Sequence, residues 1–113
     1  MPFIRTTTNK NLEDSKKREL KELYGKLIER LPGKSEEWLM LSVEDGCYMA
    51  FRGDDSPCAM VEIDLLGSLD TSAADEMTEV VCHKVGLLLG IDPSRIYVKY
   101  KEFSVWGYNG FNF

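Results

Sequence analysis

Leu31-Pro32-Gly33-Lys34-Ser35-Glu36-Glu37-Trp38-Leu39-Met40 can be laid over Leu89-Gly90-Ile91-Asp92-Pro93-Ser94-Arg95-Ile96-Tyr97-Val98. In each stretch a helix end leads to a turn, the turn to a polar pair, and the pair to an aromatic-bearing strand. A strand next to a proline also opens each half, at Pro2 and at Pro57. The chain therefore reads as one unit written twice. Two copies are too few for a solenoid. The expectation is two β-α-β units lying side by side in one four-stranded sheet.

The pattern around the repeat agrees. Pro2 to Thr8 is apolar and β-branched, as strands are. Asn11, with Asp14 three residues on, has the form of a helix start. From there Leu20, Leu23, Tyr24, Leu27, Ile28 and Leu31 recur at three- and four-residue steps and predict a helix with one core-facing stripe. Pro32-Gly33 ends it. Trp38 to Val43 reads as a buried strand, and Asp45-Gly46 as a hairpin turn into a short strand through Tyr48, Met49, Ala50 and Phe51. Cys58 to Leu66 is a further strand. Ser72 is a good N-cap for a second helix, whose stripe is Ala74, Met77, Val81, Val85 and Leu88 and which Gly90 closes. Arg95 to Tyr100 is the last strand, and the aromatic, glycine-rich tail from Phe103 to Phe113 has no helical period. The order β-α-β-β-β-α-β places helices on one face of a sheet, an α/β (α+β) architecture. Strands joined through a helix run parallel.

Composition narrows the classes. The chain has 113 residues, enough for a single domain spanning residues 1–113. It is 43% hydrophobic and 29% charged, the balance of a soluble globular protein. Its formal charge of −5, from 14 basic and 19 acidic residues, argues against nucleic acid as a partner. Lys16-Lys17-Arg18 is interleaved with acids and reads as the solvated face of a helix. The three cysteines, Cys47, Cys58 and Cys82, form no Cys-x-x-Cys spacing, and there is one histidine, His83. Free thiols in a reduced compartment are expected, with no metal site. No apolar run approaches the ~20 residues of a membrane span. The start Met1-Pro2-Phe3-Ile4-Arg5 lacks the form of a secretory signal.

Pro2 raises a chemical question. A small residue after an initiator Met favours removal of that Met, which leaves a secondary amine at the chain end. An α-amino group titrates nearer neutrality than lysine does. Burial or a nearby cation lowers its pKa further, and an uncharged amine can then act as a base. From the residues alone, Pro2 could equally do no more than start a strand.

Met1-Pro2-Phe3-Ile4, Gly33-Lys34 ahead of an aromatic strand, Ser56-Pro57-Cys58-Ala59, Leu66-Gly67, and Asp92-Pro93-Ser94-Arg95-Ile96-Tyr97 occur in this order over nearly the whole chain. Each is weak alone. Together they resemble the macrophage migration inhibitory factor family of the tautomerase superfamily. The resemblance implies the tautomerase fold, two β-α-β units per subunit, assembled as a homotrimer with a site at each subunit interface. It implies keto–enol isomerisation of an aromatic keto acid, of phenylpyruvate or dopachrome type, with Pro2 as catalytic base and no metal or organic cofactor. Lys34 would hold the substrate carboxylate. Leu66 stands where the family has an isoleucine whose backbone contacts substrate. Tyr97 would come from the adjacent subunit, and Lys99, standing where the family often has an asparagine next to the site, would join in binding substrate through its added positive charge. Trp106 and Tyr108 would form an aromatic wall, in a stretch that aligns only with a gap.

The sequence also departs from the family. Cys58-Ala59-Met60-Val61 lacks the second thiol of the mammalian cytokine's redox motif, Lys99 replaces a common asparagine, and Trp38 replaces a tyrosine. The resemblance carries two further readings. One is a cytokine-like protein with a cell-surface receptor as partner and a vestigial pocket. The other is a superfamily decarboxylase or hydratase, which would need arginines near the proline, Arg5 being the nearest in sequence. A cytoplasmic location, or export without a signal peptide, follows from the same resemblance.

Overall fold

The computed structural model describes residues 1–113. Strand β1, Pro2–Thr8, pairs in parallel with β2, Met40–Glu44, after a crossover through helix α1, Asp14–Leu27. The pattern recurs in β3, Ala59–Leu66, helix α2, Thr71–Leu89, and β4, Ile96–Phe103. The two units meet along an antiparallel seam in which Ile4 faces Ile63, giving the sheet order β2-β1-β3-β4. This is the expected four-stranded sheet. A short 3-10 turn precedes each second strand, Glu36–Trp38 before β2 and Pro93–Arg95 before β4.

Strand alternation sorts the two faces of the sheet. Ile4, Thr6 and Thr8 of β1 and Val61, Ile63 and Leu65 of β3 are buried under the helices. They share one core of 16 residues with Leu20, Tyr24, Leu27 and Ile28 from the first helical stripe and Met77, Val81 and Val85 from the second; Leu89 joins this core in place of the expected Leu88, which is only partly buried. Thr6 and Tyr24 satisfy each other's hydroxyls in this interior at 2.5 Å. Burial drives the Tyr24 hydroxyl pKa above its usual range. No helix covers the other face. Arg5 lies there beside Glu44 and Glu62, and Lys99 pairs with Glu62 at 3.3 Å.

Several local expectations are corrected. Helix α1 starts at Asp14 with Glu13 as N-cap and no capping side chain, so Asn11 does not cap it. Asp45 serves that end instead. Its carboxylate accepts from Leu12 N at 2.8 Å and pairs with Lys17 at 3.1 Å, which holds it below the usual carboxylate range. Asp45-Gly46 is therefore not a hairpin turn. The chain folds back so that Gly46 N reaches Lys10 O and Cys47 N reaches Thr8 O, and residues 48–51 form no strand. Only an isolated bridge joins Phe51 to Asp54. Strand β2 begins at Met40 and forms an edge of the sheet; Trp38 lies in the 3-10 turn, and Met40 is 70% exposed. Asp70, not Ser72, caps α2, accepting from Ser72 N and Ala73 N. The tail forms a hairpin, β5 (Gly107–Tyr108) with β6 (Phe111–Asn112). Asn109 and Gly110 both take positive φ in its turn, the conformation Asn-Gly favours in two-residue hairpins.

Candidate active site

The strand ends that meet at Pro2 build one cavity. Pro2 is the first residue of β1, buried, in register with Leu65. Leu66 N donates to Met1 O at 3.1 Å, fixing the start of the chain against the end of β3. Lys34, on the connection between α1 and β2, donates from Nζ to Leu66 O at 2.8 Å. Beyond this point Gly67 N donates to Phe103 O, which ties the ends of β3 and β4 together.

The aromatic tail then folds over the same end. Trp106 meets Phe103 edge-on at 5.6 Å, and Tyr108 meets Trp38 edge-on at 5.2 Å. Phe113 stacks on Tyr108, its amide bonded to Trp106 O. Between tail, turn and strand ends lies a cavity of about 740 Å³, lined mainly by apolar side chains and including Pro2, Trp38, Trp106 and Tyr108. Glu37 and Asp64 are the only acids on its wall. The terminal amine on Met1 has its pKa lowered, first by burial and then by the charge of Lys34. A cation and an apolar environment both disfavour an ammonium.

Pro2, Trp106 and Tyr108 thus line one cavity, while Lys34 and Leu66 are not on its wall and are tied to it through the bond from Leu66 N to Met1 O. The structure does not bring Tyr97 or Lys99 there. Tyr97 pairs with Met60, whereas Pro2 pairs with Leu65, so the two lie about 17 Å apart along the sheet at ~3.3 Å per residue. Tyr97 is 57% exposed and packs edge-on against Phe51. Lys99 lies on the uncovered face against Glu62. A site holding both Pro2 and Tyr97 therefore needs a second copy of the chain. Arg5 is turned to the uncovered face, and no arginine lines the cavity.

Two wall residues escape a reading of motifs. Asp64 lies opposite Phe3 on the uncovered face, and the alternation of Met60, Glu62, Asp64 and Leu66 against the buried residues of β3 was the signal for it. Glu37 sits in the 3-10 turn, where no periodicity marks orientation. His83 is exposed on α2, all three cysteines are free, and no group of three or more His, Cys, Asp or Glu side chains is placed to hold a metal ion.

The model of the Macrophage migration inhibitory factor (MIF) family matches residues 1–113. The chain belongs to this family. It is 26% identical over 115 residues to the macrophage migration inhibitory factor of Meriones unguiculatus, covering 100% of this chain and 99% of that one. Among solved structures it is similar to Leishmania major MIF2, at 32% identity and a TM-score of 0.93, over 100% of this chain and 97% of the other. The homologue from Prochlorococcus marinus gives 31% identity and a TM-score of 0.80, over 98% of each chain. Members of the family are tautomerases and cytokine-like proteins, typically oligomeric, and this chain is of that general type. No helix is long and apolar enough to cross a membrane.

Proposed function

We propose that this protein is a keto–enol tautomerase for arylpyruvate- or dopachrome-like substrates, with the Pro2 nitrogen as base once Met1 is removed. The observation that carries the reading is the position of Pro2. It stands at the mouth of an aromatic-walled cavity, at a chain end where burial and Lys34 already depress an amine's pKa. The same two influences would act on the Pro2 amine and favour its neutral form.

In the proposed step the neutral Pro2 nitrogen takes a proton from the carbon next to the keto group. The C–H electron pair forms the C=C bond, and the carbonyl pair moves onto oxygen. The proton then passes from Pro2 to that oxygen, giving the enol and regenerating the free amine. Lys34 anchors the carboxylate, Leu66 lends its backbone, and Trp106 and Tyr108 face the substrate ring. Tyr97 of an adjacent subunit closes the pocket of a homotrimer, with Lys99 near that interface.

The test is enolisation of phenylpyruvate by protein whose free Pro2 terminus has been verified by mass spectrometry. Retention of Met1, which makes the Pro2 nitrogen an amide, should lower turnover by roughly 10²-fold or more, the scale of a lost general base, while Pro2→Gly, which leaves a primary amine at the chain end, should lower it by less. Absence of turnover in the processed, assembled protein would overturn the proposal and favour a signalling role.

A further inference from the structure

Arg95 closes the 3-10 turn before β4, and its side chain is 16% exposed. Its guanidinium gathers the main chain of residues 51–57. Nε donates to Pro57 O at 2.9 Å, one terminal nitrogen to Phe51 O at 3.2 Å, and the other to Ser56 O at 3.1 Å and Asp54 O at 3.4 Å. The Asp54 carboxylate pairs with it at 3.0 Å. Its planar head also lies over the Phe51 ring, 5.2 Å from the centroid. This segment has no strand to hold it. Asn9 also fastens it, its Nδ2 donating to Asp55 O and Ser56 O.

The ring that Arg95 fixes does not fill the core. Phe51 is half-buried and meets Tyr97 edge-on, 4.8 Å between centroids at 85°. Tyr97 stands two residues beyond Arg95, half out in solvent, at the end of the sheet away from its own chain's Pro2. A single guanidinium, with five N–H donors in a fixed fork, thus connects a loop, an aromatic ring and the tyrosine beside it.

We propose that Arg95 is a positioning residue: through Phe51 it presents the Tyr97 ring in one orientation to the Pro2 pocket of an adjacent copy, and so sets how tightly that pocket holds an aromatic substrate. The inference rests on the tautomerase reading above, with Tyr97 as the neighbour's contribution. Arg95 touches no reacting atom, so its influence falls on binding and leaves the proton transfer alone. Lysine cannot replace it, because an ammonium keeps the charge and loses both the fork and the flat face over Phe51.

The experiment uses the full, Pro2-processed protein with carbon-13-labelled tyrosine, comparing wild type, Arg95→Lys, Phe51→Leu and the double variant. Tyr97→Phe assigns the Tyr97 resonance among the five tyrosines, and sedimentation checks the assembly. Both single variants should shift and broaden that resonance. They should raise KM for phenylpyruvate roughly two- to tenfold, the size of one lost aromatic contact, with kcat within about twofold of wild type. The double variant should be no worse than the poorer single one, because both changes break one connection. An unmoved Tyr97 resonance in Arg95→Lys, a fall in kcat at constant KM, or additive effects would each overturn the inference. Protein that retains Met1 separates the two proposals. If turnover does not depend on a free Pro2 nitrogen, the tautomerase reading fails, while the Tyr97 resonance still decides whether Arg95 orients that ring. If Arg95→Lys does not assemble, Phe51→Leu, which leaves the guanidinium bonds in place, gives the same readouts.

Discussion

Lys34 and Asp92 occupy the same place in the two halves of the repeat, and they do opposite things. Lys34 reaches away from its own connection to Leu66 O, whose amide is bonded to Met1 O at the start of the chain. Asp92 turns inward, accepting from Ser94 N at 2.9 Å and Ser94 Oγ at 2.7 Å, and caps its own turn. The turns that follow diverge in the same way: Trp38 lends its ring to the cavity wall, while Arg95 ties down a loop. The helix starts differ too, with no side-chain cap on α1 and a double acceptor, Asp70, on α2. Beneath these ends the halves share one core. The units thus agree in the interior, where burial fixes residue type, and differ at the connections, where the turn of the first half faces the cavity and that of the second braces a loop.

The largest effect should come from breaking what the halves share. Ile63→Ala, on the seam opposite Ile4, should cost about 2–5 kcal/mol. At fixed protein concentration, tryptophan fluorescence and far-UV circular dichroism should report one common urea transition. Two separated transitions would mean that the halves fold independently. Next comes the contrast between Lys34 and Asp92. Lys34→Ala should lower kcat/KM for phenylpyruvate roughly ten- to hundredfold, the worth of a charge-assisted hydrogen bond of about 1.5–3 kcal/mol. It should also move the pH profile in a definite direction. The base works unprotonated, so the rate rises as pH passes the amine's pKa. Lys34 depresses the terminal amine's pKa, so its removal raises that pKa and shifts the acid limb to higher pH. Asp92→Ala should leave that limb where it is; a shared shift would erase the distinction. The smallest effect concerns the caps. Asp70→Ala should cost about 1 kcal/mol, whereas Glu13→Ser, which supplies a missing cap, should gain a few tenths. Thermal melts would resolve both signs.

Much of the shared interior was legible in the sequence, because burial writes a period into it. The stripe from Leu20 to Leu31 and that from Ala74 to Leu88 marked both helices, and the run from Cys58 to Leu66, rich in Val, Ile and Leu, marked a strand. The connections were not legible in the same way. Asp45-Gly46 has hairpin chemistry, yet its carboxylate is used 33 residues back, on Leu12 N. Asn109-Gly110 was an available hairpin signal in a tail that otherwise has no period. At the site, Pro2, Lys34, Leu66, Trp106 and Tyr108 could be gathered by resemblance; in the fold Pro2, Trp106 and Tyr108 line one cavity, and Lys34 and Leu66 are bonded to each other off its wall. The carboxylates of Glu37 and Asp64 belong to no motif, and only the folded strand ends bring them to the cavity.

The separation of Pro2 from Tyr97 along the sheet has a consequence for inheritance. On the proposed reading each pocket takes its base from one polypeptide and its closing tyrosine from another. An allele damaged near Tyr97 then spoils the pocket of a neighbour while its own base still serves a pocket closed by a sound chain, so in mixed assemblies the working pockets fall only in proportion to the sound tyrosines. Two alleles damaged at opposite ends would instead complement, since some neighbouring pairs reunite a sound base with a sound tyrosine. The unit on which selection acts is the contact between chains, and a duplicated gene that still co-assembles with its parent cannot drift at one end without changing the other's pocket.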